Sequence, residues 1–267
     1  MIKDEFKVSF LIVGAQKAGT SALASFLSQH PEVCFAKNKE VHLFDRPDFN
    51  DSWAANEVGQ AYREYFPDFK GQNIVGEATP IYMFLPFIPK RIYRYNPKMK
   101  LIFLMRNPVE RAISQYDMEK KRGFEHLPFS VAIFLEKIRL WQNRNNLSRK
   151  SSLRHHSYVS RGFYFQQIMR FMEYFPKEQM LFVKSEDLTS RHDDTLKLIY
   201  EFLGVNNKNI IPSAKRILES TKKTRISKRM FGSLMRRFNP DLIKLERILN
   251  VDFSDWRILQ DFPEQQT

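Results

Sequence analysis

Residues 9–31 read SFLIVGAQKAGTSALASFLSQHP, and this stretch decides the fold. The apolar run from Val8 to Val13 has the length of a strand buried on both faces. Gly14 to Gly19 is a tight loop, and Thr20 opens a helix that must stop at Pro31. Leu23, Phe26 and Leu27 recur at helical spacing and turn one face of that helix toward a sheet. Strand, glycine-bounded loop and helix start, in that order, make an anion site. The backbone N–H groups at the helix amino end point outward, and Gly14 and Gly19 leave room for an anion to approach. Thr20 and Ser21 add hydroxyl donors, and Lys17 reaches over the loop as a point charge.

The two glycines have the spacing of the ATP-binding pattern GxxxxGK[ST]. Thr20, however, stands where that pattern has lysine, and the lysine lies inside the loop, at Lys17. A magnesium–nucleotide site also needs an acidic residue at a neighbouring strand end. The run KLIFLM ends instead in Arg106, which repels a metal ion and attracts a second phosphate. The pattern therefore predicts two separated anionic groups without magnesium, one on the loop and one near Arg106. The segment NPVE, Asn107 to Glu110, spells an N-cap, a proline at the first helical position and a glutamate at the third. Ser114 lies about two turns into that helix, on a face shared with Arg111. Arg106 and Ser114 together suit one phosphate; the alternative is an Arg106–carboxylate pair and a small packing residue at Ser114.

Outward from this stretch, short apolar runs recur between helical patterns: FLIVG, EVCFA, QNIVGE, KLIFLMR and QMLFVKSED. Each suits a strand buried on both faces, and the alternation predicts an α/β fold with a parallel sheet and right-handed crossovers. SRHD, Ser190 to Asp193, spells a capping box ahead of a helix that carries Leu196, Ile199, Tyr200 and Leu203 on one face and ends at Gly204. Tyr164, Ile168, Phe171, Met172 and Phe175 form a second apolar stripe. The last third is mostly helical and basic, and no repeat or linker divides the chain. A single domain over residues 1–267 is the expectation.

The 267 residues are 43% hydrophobic and 14% aromatic, enough for a packed core. The net charge of +13 favours an anionic partner without choosing among nucleic acid, acidic glycan, membrane surface or phosphorylated cofactor. The lone cysteine, Cys34, excludes an intramolecular disulfide and a CxxC zinc site, and reads as a buried thiol. The apolar start is too short for a signal peptide, and no stretch approaches the roughly 20 residues of a membrane span. A cytoplasmic protein is expected.

The pair VGAQKAGTSAL and LIFLMRNPVERAISQY resembles the double signature of sulfotransferases that use 3′-phosphoadenosine 5′-phosphosulfate (PAPS) and release PAP. HPEVCFAKNKEVHLFD, RGFYFQQIMRFMEYFPKEQMLFVKSEDL and RRFNPDLIKLERILNVDFSDW are similar to further segments of the heparan-sulfate-type, carbohydrate-modifying branch, in a soluble bacterial-type form. The resemblance implies a P-loop-like three-layer fold with a mostly helical carboxyl-terminal third. It implies that Lys17, Ala18, Gly19, Thr20, Ser21 and Ala22 hold the 5′-phosphosulfate, and that Arg106 and Ser114 hold the 3′-phosphate. It gives Lys17 the leaving group, Glu40 the role of general base, and His42 a role in orienting, assisting or replacing Glu40. Glu40 would work best with its pKa raised by partial burial, and His42 points to the same side if the segment is extended. No metal is required, because a sulfuryl group bears less charge than a phosphoryl group and fixed cations and amides suffice.

Two departures stand out. GEATP places Ala78 where many relatives carry a lysine, which puts one cationic contact at the transfer centre or the acceptor in question. In place of a late Lys-Gly-Arg loop stands STKKTRISKR, where Lys222, Lys223 and Arg225 offer the cations. The acceptor would be a hydroxyl or amine of a small metabolite, natural product or glycan. DFNDSWAANEVGQAYREYF and residues 124–158 are expected to wall it, with RNNLSRKSSLRHH as a mobile surface loop. The rival readings are a magnesium–ATP metabolite kinase and a non-enzymatic polyanion or nucleic-acid binder. RISKRMFGSLMRRF supports the second only as far as a solvated basic helix face does, and a nucleic-acid partner is not expected.

Overall fold

Each of the five apolar runs becomes a strand of one parallel sheet. The computed structural model describes residues 6–144, 146–206, 211–213 and 224–257. In chain order they form β1 (Phe10–Gly14), α1 (Thr20–Leu27), β2 (Val33–Phe35), α2 (Ala55–Arg63) and β3 (Ile74–Glu77). Next come α3 (Ile88–Tyr95), β4 (Lys100–Met105), α4 (Pro108–Lys121), α5 (Phe129–Gln142), α6 (Ser152–His155) and α7 (Tyr164–Met172). The chain continues with β5 (Met180–Lys184), α8 (Asp187–Ser190), α9 (His192–Leu203), α10 (Lys228–Leu249) and α11 (Ser254–Arg257). Two compact units result: Met1–Arg106 with Met169–Glu219, and Asn107–Ile168 with Ser220–Thr267.

The first unit contains the whole sheet, in the order β2-β3-β1-β4-β5. β1 lies at the centre with every residue buried, which is why FLIVG carries no polar side chain. The register pairs Leu11 with Glu77 on one side and with Leu101 on the other. Gly76 is required by packing: a Cβ there would lie 2.2 Å from the Phe10 ring. The side chains of β4 alternate between the two faces. Phe103 packs against Phe171 of α7, and Leu104 approaches the Gly19 turn. β5 is an edge strand with three half-exposed residues, so QMLFVKSED is not buried on both faces as its composition suggests.

The chain runs from β1 to β2 and β3 on one side, then crosses to β4 and β5 on the other. The crevice beyond the carboxyl ends of β1 and β4 is thus the switch point where open parallel sheets bind ligands. The α9 stripe Leu196, Ile199, Tyr200 and Leu203 is buried, and the helix ends at Gly204 with φ +80°. The expected SRHD capping box does not form. Ser190 instead closes the short helix α8 and its hydroxyl donates to the Glu186 carbonyl, so Arg191 becomes the α9 cap.

The second unit is helical. Asn107 caps α4 as NPVE requires: its Oδ1 accepts from Val109 N at 3.0 Å and Glu110 N at 3.3 Å. Its Nδ2 donates to Trp256 O at 3.0 Å, tying the carboxyl-terminal helix to the same point. Arg111 is fully buried and donates to Gln115 Oε1 and Tyr158 O, so it serves the core. RNNLSRKSSLRHH is not simply a surface loop. Its last part forms α6, where the buried His155 ring stacks on Phe124 at 3.8 Å and meets Glu119 Oε2 at 2.8 Å. α10 buries Phe231, Leu234, Met235 and Phe238 and exposes Lys228, Arg229, Arg236 and Arg237, as a solvated basic face does.

Candidate active site

The loop between β1 and α1 is shaped by two left-handed residues, Lys17 at φ +70° and Gly19 at φ +93°. Gly19 O accepts from Ala22 N and Leu23 N, the first bonds of the helix ladder. Among the described residues nothing accepts from the amides of Gly19, Thr20 and Ser21. Such orphan donors at a helix start, with the positive end of the helix dipole behind them, form an anion cradle. Ala18 is buried beneath the loop and Ala22 sits in the first helical turn. Arg106, at the end of β4, reaches the Lys17 carbonyl with Nη1 at 3.4 Å. The switch point therefore brings the loop and the Arg106 guanidinium together.

Beyond β2 the chain passes through KNKEVHLFD, held in place by its own apolar residues. Leu43 and Phe44 are fully buried. The Phe44 ring packs against Tyr62 at 5.6 Å and Tyr82 at 5.7 Å, and the Phe44 amide donates to the Tyr82 hydroxyl oxygen at 3.2 Å. With Phe44 fixed, the polar residues on either side have defined positions. His42 is not extended; it adopts φ +58°. That turn still brings His42 Nε2 to 3.3 Å from Glu40 Oε2, so the two meet for a different reason than strand alternation.

A chain of polar contacts leads away from the cradle. Lys39 Nζ donates to Thr20 Oγ1 at 3.3 Å and to Glu40 Oε1 at 2.9 Å. Glu40 meets His42, and His42 Nδ1 lies 3.0 Å from both carboxylate oxygens of the buried Asp45. The His42 amide donates to Thr79 Oγ1, whose hydroxyl donates to Glu77 Oε2 at 2.7 Å. Asp45, Thr79, Glu77 and Lys39 were not singled out by the sequence. Lys39 and Asp45 stand in the quoted run, and Glu77 and Thr79 flank Ala78, but only the fold shows what they touch.

The electrostatics of the group differ from expectation. Burial pushes the Glu40 carboxyl up, but hydrogen bonds from His42 and Lys39 outweigh it and hold its pKa down to about 2. Burial pulls the His42 imidazolium down, while its bonds to Asp45 and Glu40 raise it to about 9. The resting site thus holds a carboxylate and an imidazolium in contact, rather than a carboxyl tuned to neutrality. Glu77 behaves in the opposite way. It is fully buried, and burial pushes its pKa up to about 8 despite the Thr79 bond.

Lys17, Gly19, Thr20, Ser21, Glu40, His42 and Arg106 all belong to the first unit. Ser114, half-buried on α4, and Arg225, exposed ahead of α10, belong to the second. Lys222 and Lys223 lie outside the described residues. Among the described residues, no three His, Cys, Asp or Glu side chains gather as metal ligands, and no helix is long and apolar enough to cross a membrane. Cys34 is a buried free thiol, raised above its ordinary pKa first by burial and then by Asp68.

A family model described as the sulfotransferase domain matches residues 7–239. The chain belongs to the sulfotransferase family. Among relatives of this sulfotransferase, human heparan sulfate glucosamine 3-O-sulfotransferase 6 is 35% identical over 198 residues, 73% of this chain and 52% of the relative. The mouse 3-O-sulfotransferase 5 is 32% identical over 195 residues, 73% of this chain and 53% of the relative. This sulfotransferase therefore spans about half the length of these curated relatives. The crystal structure of a sulfotransferase from Alicyclobacillus acidocaldarius is 29% identical, with a TM-score of 0.79 over 94% of this chain and 99% of that one.

Proposed function

We propose that this sulfotransferase transfers the sulfuryl group of PAPS to an acceptor hydroxyl or amine by in-line displacement, with Glu40 as general base. The observation that carries the reading is the path from Thr20 through Lys39 to Glu40. It sets a proton acceptor beside an anion cradle, an arrangement that phosphate binding alone does not need. The residues present fit a donor with two anionic groups: amide donors and hydroxyls at Gly19–Ser21 on one side, the Arg106 guanidinium on the other. PAPS, when bound, supplies the sulfuryl group and departs as PAP. Lys17 neutralises the charge that develops on the leaving phosphate, and Arg106 takes the 3′-phosphate. Glu40 accepts the acceptor's proton, and His42, held by Asp45, orients it. The names of the heparan sulfate relatives support a carbohydrate hydroxyl as the acceptor class.

Calorimetric titration with PAP and, separately, with ADP, each with and without Mg²⁺, tests the reading. Magnesium-independent binding of PAP in preference to ADP is expected. Preference for ADP with Mg²⁺ would return the loop to kinase chemistry. Salt-sensitive DNA binding that PAP does not displace would favour the polyanion binder.

A further inference from the structure

Lys39 stands where the anion cradle and the base meet. Its ammonium touches Thr20 Oγ1, at the first residue of α1, and the Glu40 carboxylate. An in-line transfer runs from the group held by the cradle to the atom whose proton Glu40 takes. A cation that touches both ends of that route lies beside the transferred group. The backbone fixes where the side chain starts: Ala78 N donates to Lys39 O at 3.0 Å. Ala78 is fully buried and brings only a methyl group, so the charge on this side of the site comes from the loop and not from the strand end. The Lys39 side chain is 26% exposed, and its ammonium is shared between two oxygen partners.

Resting on the sulfuryl-transfer reading above, we propose that Lys39 is a catalytic residue whose ammonium passes from Glu40 to the sulfuryl oxygens when the donor binds. In the step it serves, the acceptor oxygen or nitrogen forms a bond to sulfur. The bond from sulfur to the bridging oxygen breaks, and its electron pair stays on the 5′-phosphate of PAP. The acceptor's proton goes to Glu40. Lys39 stabilises the charge on the sulfuryl group and, by leaving Glu40, removes one of the two cations that suppress its basicity. The low proton affinity of Glu40 at rest is then a property of the waiting site, relieved by the donor itself.

PAPS and PAP differ by the sulfuryl group alone, so their separate affinities isolate the contact. Calorimetry on the wild type, Lys39→Met and Lys39→Arg reads it directly, with thermal melts to verify folding. Lys39→Met is expected to weaken PAPS about tenfold, the worth of a charge-assisted hydrogen bond, while PAP changes less than about twofold. Its kcat falls by about 10²-fold, and Lys39→Arg recovers most of both losses. Unchanged PAPS affinity in Lys39→Met would overturn the proposal. Equal loss of PAPS and PAP would overturn it too, since Lys39 would then only brace Thr20 in the phosphate cradle. A wild type that binds neither nucleotide would instead sink the sulfuryl-transfer reading on which the proposal rests.

Discussion

Glu40 is pulled in two directions, upward by burial and downward by Lys39 and His42, and the cations win. It is therefore ionised across the whole working range and needs no deprotonation before it acts. Glu40→Gln keeps the shape and loses the proton acceptor. It should lower kcat by about 10²- to 10⁴-fold while PAP affinity, by calorimetry, stays near that of the wild type. Full activity in that variant would remove Glu40 from the role. His42 offers a second check. Asp45 and Glu40 hold its ring protonated up to about pH 9, so an NMR titration of the ring should find its midpoint there. In Asp45→Asn that midpoint should fall toward the ordinary value of 6.5. An unmoved midpoint would mean that Asp45 does not set the charge. That Lys17 and Arg106 lie at one sheet edge was legible from the strand, loop and helix spacing around them, whereas Glu40 and His42 were marked only by the family resemblance. Lys39 and Asp45 were singled out by neither. The Lys39 partners include a hydroxyl nineteen residues upstream, and the turn at His42 that completes the array depends on the burial of Phe44.

At the level of elements, the anion cradle follows from β1, whose wholly apolar residues leave the next five to make a loop at the sheet's carboxyl edge. β3 ends in Glu77, whose carboxyl is fully buried and pushed up to about 8. A carboxyl raised in the folded state contributes stability that is complete below its ordinary pKa and is lost as pH rises through the folded value. Denaturant midpoints should therefore fall between about pH 4.5 and pH 8, and Glu77→Gln should flatten that decline. An identical decline in the variant would place the titrating group elsewhere. Helix starts were legible where the cap is local, as at Asn107, because side chain and amides lie within three residues. SRHD misleads because the same serine hydroxyl bonds to its own i−4 carbonyl and ends a preceding turn of helix.

For the molecule as a whole, parallel pairing and apolar composition made the sheet legible, while the division into two units was not. No change of composition marks the boundaries at residues 106/107 and 168/169. Within the first unit, β1 and β4 are flanked on both sides and buried throughout most of their length, whereas β2 is a three-residue edge strand. Hydrogen exchange should find the amides of β1 and β4 opening only with global unfolding, and those of β2 considerably sooner. Equal protection across the sheet would contradict this order. The pairing of β4 with β5 joins Leu101 to Met180 across the whole inserted stretch of the second unit. This has a consequence for biosynthesis. On the ribosome, Lys17, Lys39, Glu40, His42, Asp45, Glu77 and Arg106 are all in hand before the first residue of that stretch emerges. The sheet, by contrast, lacks its last strand until Lys184 has been added. The candidate site residues of the first unit thus precede the strand that covers the open edge of β4.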